Sequence, residues 1–345
     1  MKTSTTFLSG LMISLMLFSG CKKDDDKIDP IDETPTVSVG TIVSSVALGG
    51  TFDADAYSHY AYVCRNQEGL SVVDLSNPAS PQLTTTLNPA GELRDGFVYA
   101  DKLYIAAYGE GVYAYSLSNP AYPSQLLHFV PGDETSYVFV NDNYIFAAGG
   151  ISSNGYLSIH DLSTGALVGA YNNTATDETD RGFQSLYVSG NYVYAGTAGG
   201  CLYILDITNP ASPAFISRYY NPGTLGHSPW LQGIAVSNNV AYMADWGAGT
   251  ISVDVSNPAL PTELDVFTGG TDGPQAYDIK ISGTTAYVAN GWGGLLVLDI
   301  TNPSAITLKF EVNPSSSSYL GVSLMGDYAL VADNGQQKLS VIKVK

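Results

Sequence analysis

The sequence predicts an all-β fold, a seven-bladed β-propeller of four-stranded blades whose ring is closed by an N-terminal strand completing the last blade. Three observations predict it. A tag, Asp-x-Ser/Thr-Asn-Pro, recurs at residues 74–78, 206–210, 254–258 and 299–303, with Ser for Asp at 116–120 and a degenerate copy at 161–165. Consecutive tags lie 42 to 48 residues apart, a period that suits one propeller blade. Seven short apolar strands of one kind accompany the tags; the last unit lacks its fourth strand, and a spare strand-like segment precedes the first.

In chain order, residues 1–20 join a basic start, an apolar run from Phe7 to Phe18 and the small pair Ser19-Gly20, which is the make-up of a secretory signal peptide. The run is shorter than the roughly 20 residues that a bilayer crossing needs. Residues 21–36 open Cys21-Lys22-Lys23-Asp24-Asp25-Asp26 and stay acidic and proline-containing. Such a stretch cannot bury a core and is expected to be a flexible tether. Residues 37–345 hold the repeats.

One unit read in full explains the rest. Gly233-Ile234-Ala235-Val236 alternates as a strand and Ser237-Asn238-Asn239 turns it. Val240 to Ala244 forms a second strand, Thr250 to Val255 a third and Leu264 to Phe267 a fourth. Asn-Pro in the tag is turn chemistry: Pro presets φ, and the Asn side chain caps backbone. Second strands read the same way are Tyr60–Cys64, Leu103–Ala107, Tyr144–Ala148, Tyr192–Gly196, Val240–Ala244, Thr285–Ala289 and Tyr328–Ala332. The segment Val37 to Leu48 supplies the strand missing from the seventh unit and removes an exposed edge.

Composition bounds the function. The chain has 24 tyrosines and only 13% charged residues, which favours strands and a large core. A formal net charge of −18 repels phosphate backbones, so nucleic acid is not an expected partner. Anionic lipid headgroups are equally poor partners for the folded part. Cys64 lies in an apolar strand and reads as a core residue, whereas Cys201 follows Gly199-Gly200 in an expected loop. Neither has the neighbours that a metal site requires.

Leu17-Phe18-Ser19-Gly20-Cys21 resembles the lipobox of bacterial lipoproteins, with Phe18 where Leu is usual. The resemblance implies that Cys21 is lipidated and is the only link to the membrane. Lysine and acids directly after it resemble the surface-export signal of some Gram-negative lipoproteins, which implies an outer-membrane, cell-surface location. Strands such as Leu295-Leu296-Val297-Leu298-Asp299, Leu202-Tyr203-Ile204-Leu205-Asp206 and Leu70-Ser71-Val72-Val73-Asp74, each followed by Ser/Thr-Asn-Pro, resemble the LVIVD repeat family. That likeness spans residues 37–345 and departs at Ser116, Gly165 and Lys343. It implies a secreted or surface propeller without one fixed activity.

Candidate site residues follow from aligning the units. Asp53, Asp95, Ser136, Gln184, Gln232, Tyr277 and Leu320 align just before the small residues that open the inner strands, with Arg94, Arg181, Trp230 and Gln275 close by. In the loops after the second strands, Arg65, Thr197, Asp245, Asn290 and Asp333 align, with Trp246 and Trp292 beside two of them. All three tryptophans thus fall in loops of blades five and six on one expected face. Flat aromatics beside amides and carboxylates suit a sugar or a peptide, although Trp246 and Trp292 could equally fill gaps between glycine-rich loops. Among the histidines only His227 falls near that face, and no phosphate-loop, calcium-loop or zinc spacing occurs, so no cofactor is expected. The expected role is a non-enzymatic binding or scaffold module for an extracellular protein or glycan. The alternatives are a glycan-acting enzyme using central carboxylates such as Asp53 and Asp95, and a structural surface-coat repeat.

Overall fold

The structure is a computed structural model that describes residues 38–132, 134–150, 154–174, 182–220 and 228–345. The expected signal peptide, tether and Cys21 lie outside the described residues, as do Arg181 and His227. Seven four-stranded antiparallel sheets form the blades. Six of them take consecutive strands, at residues 53–87, 92–129, 135–172, 183–220, 231–267 and 278–312. The seventh combines Tyr319–Met325, Tyr328–Asp333 and Lys338–Lys343 with the N-terminal strand Thr41–Ala47 as its outermost member.

The closure is a hydrogen-bonded ladder. Thr41 pairs with Lys343 and Ala47 with Lys338, with one register shift between Ile42 and Ser44. Both ends of the ring therefore share one sheet, and the last blade is completed to four strands like the other six.

The core is divided among the seams between blades. Seven apolar clusters each draw on two neighbouring blades; one joins Tyr62, Leu70 and Val72 of the first to Leu93, Leu103 and Ile105 of the second. Another closes the ring, packing Ala54, Val63 and Val73 against Leu330, Leu339 and Val341. Middle strands are thus buried on both faces, which is why runs such as Val240–Asp245 and Leu70–Asp74 read as nearly continuous apolar sequence. Outer strands are covered on one side at most, and Leu83, Leu167 and Phe215 stand exposed there.

The tags do two jobs. Within each turn, the Asp carboxylate accepts the N–H two residues on, as from Ser76 to Asp74 at 2.7 Å and from Thr208 to Asp206 at 2.7 Å. The Asn side chain accepts likewise, from Ala79 to Asn77 at 3.1 Å. The Thr208 and Thr301 hydroxyls and then their N–H groups hold Asp206 and Asp299 below the ordinary carboxylate range, and the N–H of Ser76 and of Ser256 does so first for Asp74 and Asp254. Between blades, the proline carbonyl accepts a hydroxyl from the preceding blade: Tyr62 to Pro120 at 2.9 Å, Ser217 to Pro258 at 2.5 Å and Ser252 to Pro303 at 2.6 Å.

Cys201 opens the third strand of blade four, Cys201–Asp206, rather than lying in a loop as the glycines before it suggest. Cys64 and Cys201 are both buried, and no disulfide joins them.

Candidate functional site

The inner strands set the geometry around the ring axis. A strand on the inner rim has its second-strand neighbour on one side only, so alternate N–H groups point toward the axis unpaired. Aspartates of the preceding blade fill that need. Asp53 accepts from Gly96 N at 2.9 Å, Asp55 from Val98 N at 2.6 Å, Asp95 from Val138 N at 2.8 Å and Asp278 from Val322 N at 3.0 Å. Ser323 adds a hydroxyl bond to Asp55 at 3.2 Å across the closing seam.

Lys280, two residues beyond Asp278 on the same strand face, binds both oxygens of Asp278 at 3.1 and 3.0 Å. Its ammonium sits among carboxylates of blades six and one, and although burial pulls its pKa down, Asp278, Asp53 and Asp55 raise it above the ordinary lysine value. Burial lifts the Asp53 carboxyl to about 7, with Lys280 working against the rise and Asp278 for it. Asp95 is raised well above its ordinary value by burial and then by the charge of Asp53; Asp55 is raised chiefly by burial. The axis thus gathers carboxylates with raised pKa values around one lysine. Opposite it, Phe97, Phe139 and Tyr187 on blades two to four form an aromatic wall, with ring centroids 4.7 and 5.1 Å apart.

This cluster corrects the sequence alignment. Strand register places Asp53 opposite Cys64, Asp95 opposite Ala106, Tyr137 opposite Ala148, Ser185 opposite Gly196, Gly233 opposite Ala244, Asp278 opposite Ala289 and Gly321 opposite Ala332. Ser136, Gln184, Gln232, Tyr277 and Leu320 lie one residue earlier and are not equivalent to Asp53 and Asp95. In five blades the strand shifts register at that earlier residue, which is Arg94, Ser136, Gln184, Gln232 or Leu320. A bulge adds one residue and turns the side chain out of the alternating series. Among these, Gln232 accepts from the Tyr137 hydroxyl at 3.4 Å and Gln184 is buried. Arg94 lies over the Tyr108 ring at 4.2 Å and pairs with Glu92 at 3.0 Å. Sequence reasoning missed Asp55, Asp278 and Lys280, which the spacing of two along each inner strand could have revealed.

The second loop series keeps its equivalence but not its expected role. Asp245, Asn290 and Asp333 are at most 1% exposed, so they do not face a ligand. They tie loops instead. Asp245 Oδ1 accepts from Gly247 N and Ala248 N, Asn290 bridges Gln275 N and the Gly273 carbonyl, and Asp333 holds Ser317, Ser318 and Gln336.

The tryptophans divide. Trp246 is half-buried, its N–H donates to the Trp230 carbonyl at 2.9 Å, and its side chain hydrogen-bonds Tyr277. It packs between loops. Trp230 is 39% exposed and Trp292 is 56% exposed. Trp292 sits at the tip of the turn Asn290-Gly291-Trp292-Gly293-Gly294, and its backbone N–H donates to Gln275 Oε1 at 3.4 Å. An open groove of about 460 Å³ begins beside it, lined by Asp272, Gln275, Asn313, Pro314 and the serines 315 to 317. No group of three or more His, Cys, Asp or Glu is arranged to hold a metal ion among the described residues.

The ring of blades and its loop face define a repeat-built propeller. The LVIVD repeat matches at residues 49–88, 181–221, 231–268, 273–314 and 320–342, more than half of the sequence. The chain belongs to the LVIVD repeat family. The matches omit blades two and three, whose tags carry Ser116 and the degenerate 161–165. No curated protein matches the sequence. Among solved structures, a chain of the mitotic checkpoint complex is similar at 12% identity with a TM-score of 0.70, covering 98% of this chain and 99% of that one. The WD40 β-propeller domain of Doa1 is similar at 12% identity and TM-score 0.67, covering 88% and 96%. The designed protein Ika8 follows at 11% identity and TM-score 0.61, covering 86% and 98%. At such identities the likeness is one of fold.

Proposed function

We propose that this protein is a non-enzymatic binding platform at the outer face of a bacterial outer membrane, held by lipid on Cys21 and engaging an extracellular glycan or protein. One observation carries the binding part: Trp292 holds 56% exposure on a tied turn beside an open polar groove. An exposed tryptophan fixed beside a groove is the residue type that most often anchors a binding interface. The propeller itself is a general scaffold for binding, and the sequence of the leader and Cys21 supports the anchored location.

The rival reading, glycan cleavage by Asp53 and Asp95, draws on their raised pKa values. It has less support, because each carboxylate already spends an oxygen on a backbone N–H of the next blade.

The test is a glycan and peptide array probed with residues 37–345, beside a variant carrying Trp230→Ala, Trp246→Ala and Trp292→Ala. Binding that vanishes in a still-folded variant supports the reading; binding that survives, or none at all, overturns it. Cys21→Ala tests the anchor, since loss of acyl labelling and release from the membrane fraction are expected.

A further inference from the structure

The groove beside Trp292 has a chemistry narrower than that of a general binding face, and from it we infer that the groove is a subsite for uncharged glycan. The inference rests on the binding-platform reading above.

The indole is bare by construction. Gly291, Gly293 and Gly294 flank it, so neighbouring residues in the turn offer no side chain to cover its faces. The turn is nevertheless rigid. Asn290 N donates to the Gly294 carbonyl at 2.8 Å and Gly293 N to the Asn290 carbonyl at 2.8 Å. Gly291 exchanges two backbone bonds with Tyr319 of the next blade, at 3.0 and 2.9 Å. The positive φ of Gly291 and Gly294, 53° and 76°, makes that path costly for other residues. An exposed aromatic held in place by the fold binds with little ordering cost.

The groove wall supplies acceptors. Asn313 Nδ2 donates to Asp272 Oδ2 at 2.7 Å, and both residues line the groove, so the second Asp272 oxygen and the Asn313 side-chain oxygen are left as acceptors for a ligand. Gln275 is occupied at both ends, by Trp292 N and by the Asp272 carbonyl. Ser315 and Ser316 add exposed hydroxyls. A flat apolar plate beside acceptors and hydroxyls complements a pyranose, which has an apolar C–H face and a rim of O–H donors. The volume falls within the range of about 300–1,000 Å³ typical of small-ligand sites.

Charge selects among sugars. The lining includes Asp272 and no cationic residue, and Glu311 stands next to it, bonded to Thr271. Uronates and sulfated sugars would meet an unpaired carboxylate in a chain already at −18, whereas neutral sugars pay no such penalty.

The experiment uses residues 37–345, a closed ring with its own core. Tryptophan fluorescence and calorimetry follow titration with cellohexaose, mannohexaose, xylohexaose and maltohexaose, with polygalacturonate as the anionic probe. At least one neutral hexaose is expected to bind, with a tenfold or greater loss in Trp292→Ala and in Asp272→Ala and no loss in Trp230→Ala. Thermal melts check that each variant is folded. Failure of every neutral probe, binding that survives Trp292→Ala, or preference for polygalacturonate overturns the inference. If peptides on the array bind through Trp292 while no neutral glycan does, the glycan assignment falls and the platform reading stands. If nothing binds, both fall.

Discussion

Asp53 of the first blade accepts the backbone N–H of Gly96 in the second at 2.9 Å, and the same carboxylate lies against Gly321 of the seventh. One side chain thus touches three blades at the axis. Its strand-edge capping and its charge pull in opposite directions, and pH separates them.

Stability is expected to fall as pH rises through neutrality. The folded pKa of Asp53, about 7, lies above its unfolded value, as do those of Asp55 and Asp95 in direction. Groups raised in this way contribute fully below the unfolded pKa of about 3.9, and that contribution is lost as pH climbs through the folded pKa. Coupling and channel water discount the full linkage, leaving a change of about 1–3 kcal/mol between pH 4.5 and 8. Asp53→Asn keeps an oxygen for Gly96 and should flatten a plot of Tm against pH. An unchanged slope would remove Asp53 from the account.

The turns have the opposite sign. Asp161, lowered to about 2 first by the Ser163 and then the Thr164 hydroxyl, contributes above the unfolded pKa and loses that contribution as pH falls toward 2. Asp161→Asn should therefore matter at pH 7 and cease to matter near pH 2, which urea melts at the two pH values would register.

Gly321→Ala should destabilise by about 1–3 kcal/mol, because the added methyl would sit 2.8 Å from Asp53 Cα and 3.1 Å from the Phe52 carbonyl oxygen. Gly96→Ala meets nothing nearer than 3.4 Å and should be nearly neutral. Equal effects in chemical denaturation would mean that the closing seam is no tighter than the first.

Ser252→Ala removes a buried hydroxyl that donates to Pro303 at 2.6 Å and leaves that carbonyl short of a partner. A loss of about 0.5–1.5 kcal/mol is expected, shared by Tyr62→Phe through Pro120. Because the two seams are separate, the double variant should be additive within about 0.5 kcal/mol.

Deleting residues 38–48 should leave Lys338–Lys343 with an open edge and produce oligomers or aggregate, measured by light scattering. A stable monomer would show that ring closure is dispensable.

The legibility of these features in the sequence follows their range. The tags are local chemistry, so Asn77 and Pro78 announced their turn without tertiary information. Strands such as Leu295–Asp299, buried on both faces, announced themselves by apolar content alone. The inner strands did not. A single bulge residue, Gln232 or Leu320, moves every later side chain to the other face, and nothing in composition marks where the extra residue falls. Asp245 and Asp333 misled for a related reason. A loop carboxylate reads the same whether it faces solvent or folds back onto its own backbone. Trp292 was visible as a candidate, but only its exposure separates it from Trp246.

Pairing Thr41 with Lys343 also fixes an order of events in time. The first strand of the ring in chain order pairs with the last, so its partner is the most distant one available. Until they pair, six blades can grow in succession while both ends of the arc stay unsatisfied. Among the described strand pairs the closing one has the largest sequence separation, so it carries the highest loop-closure cost in this topology.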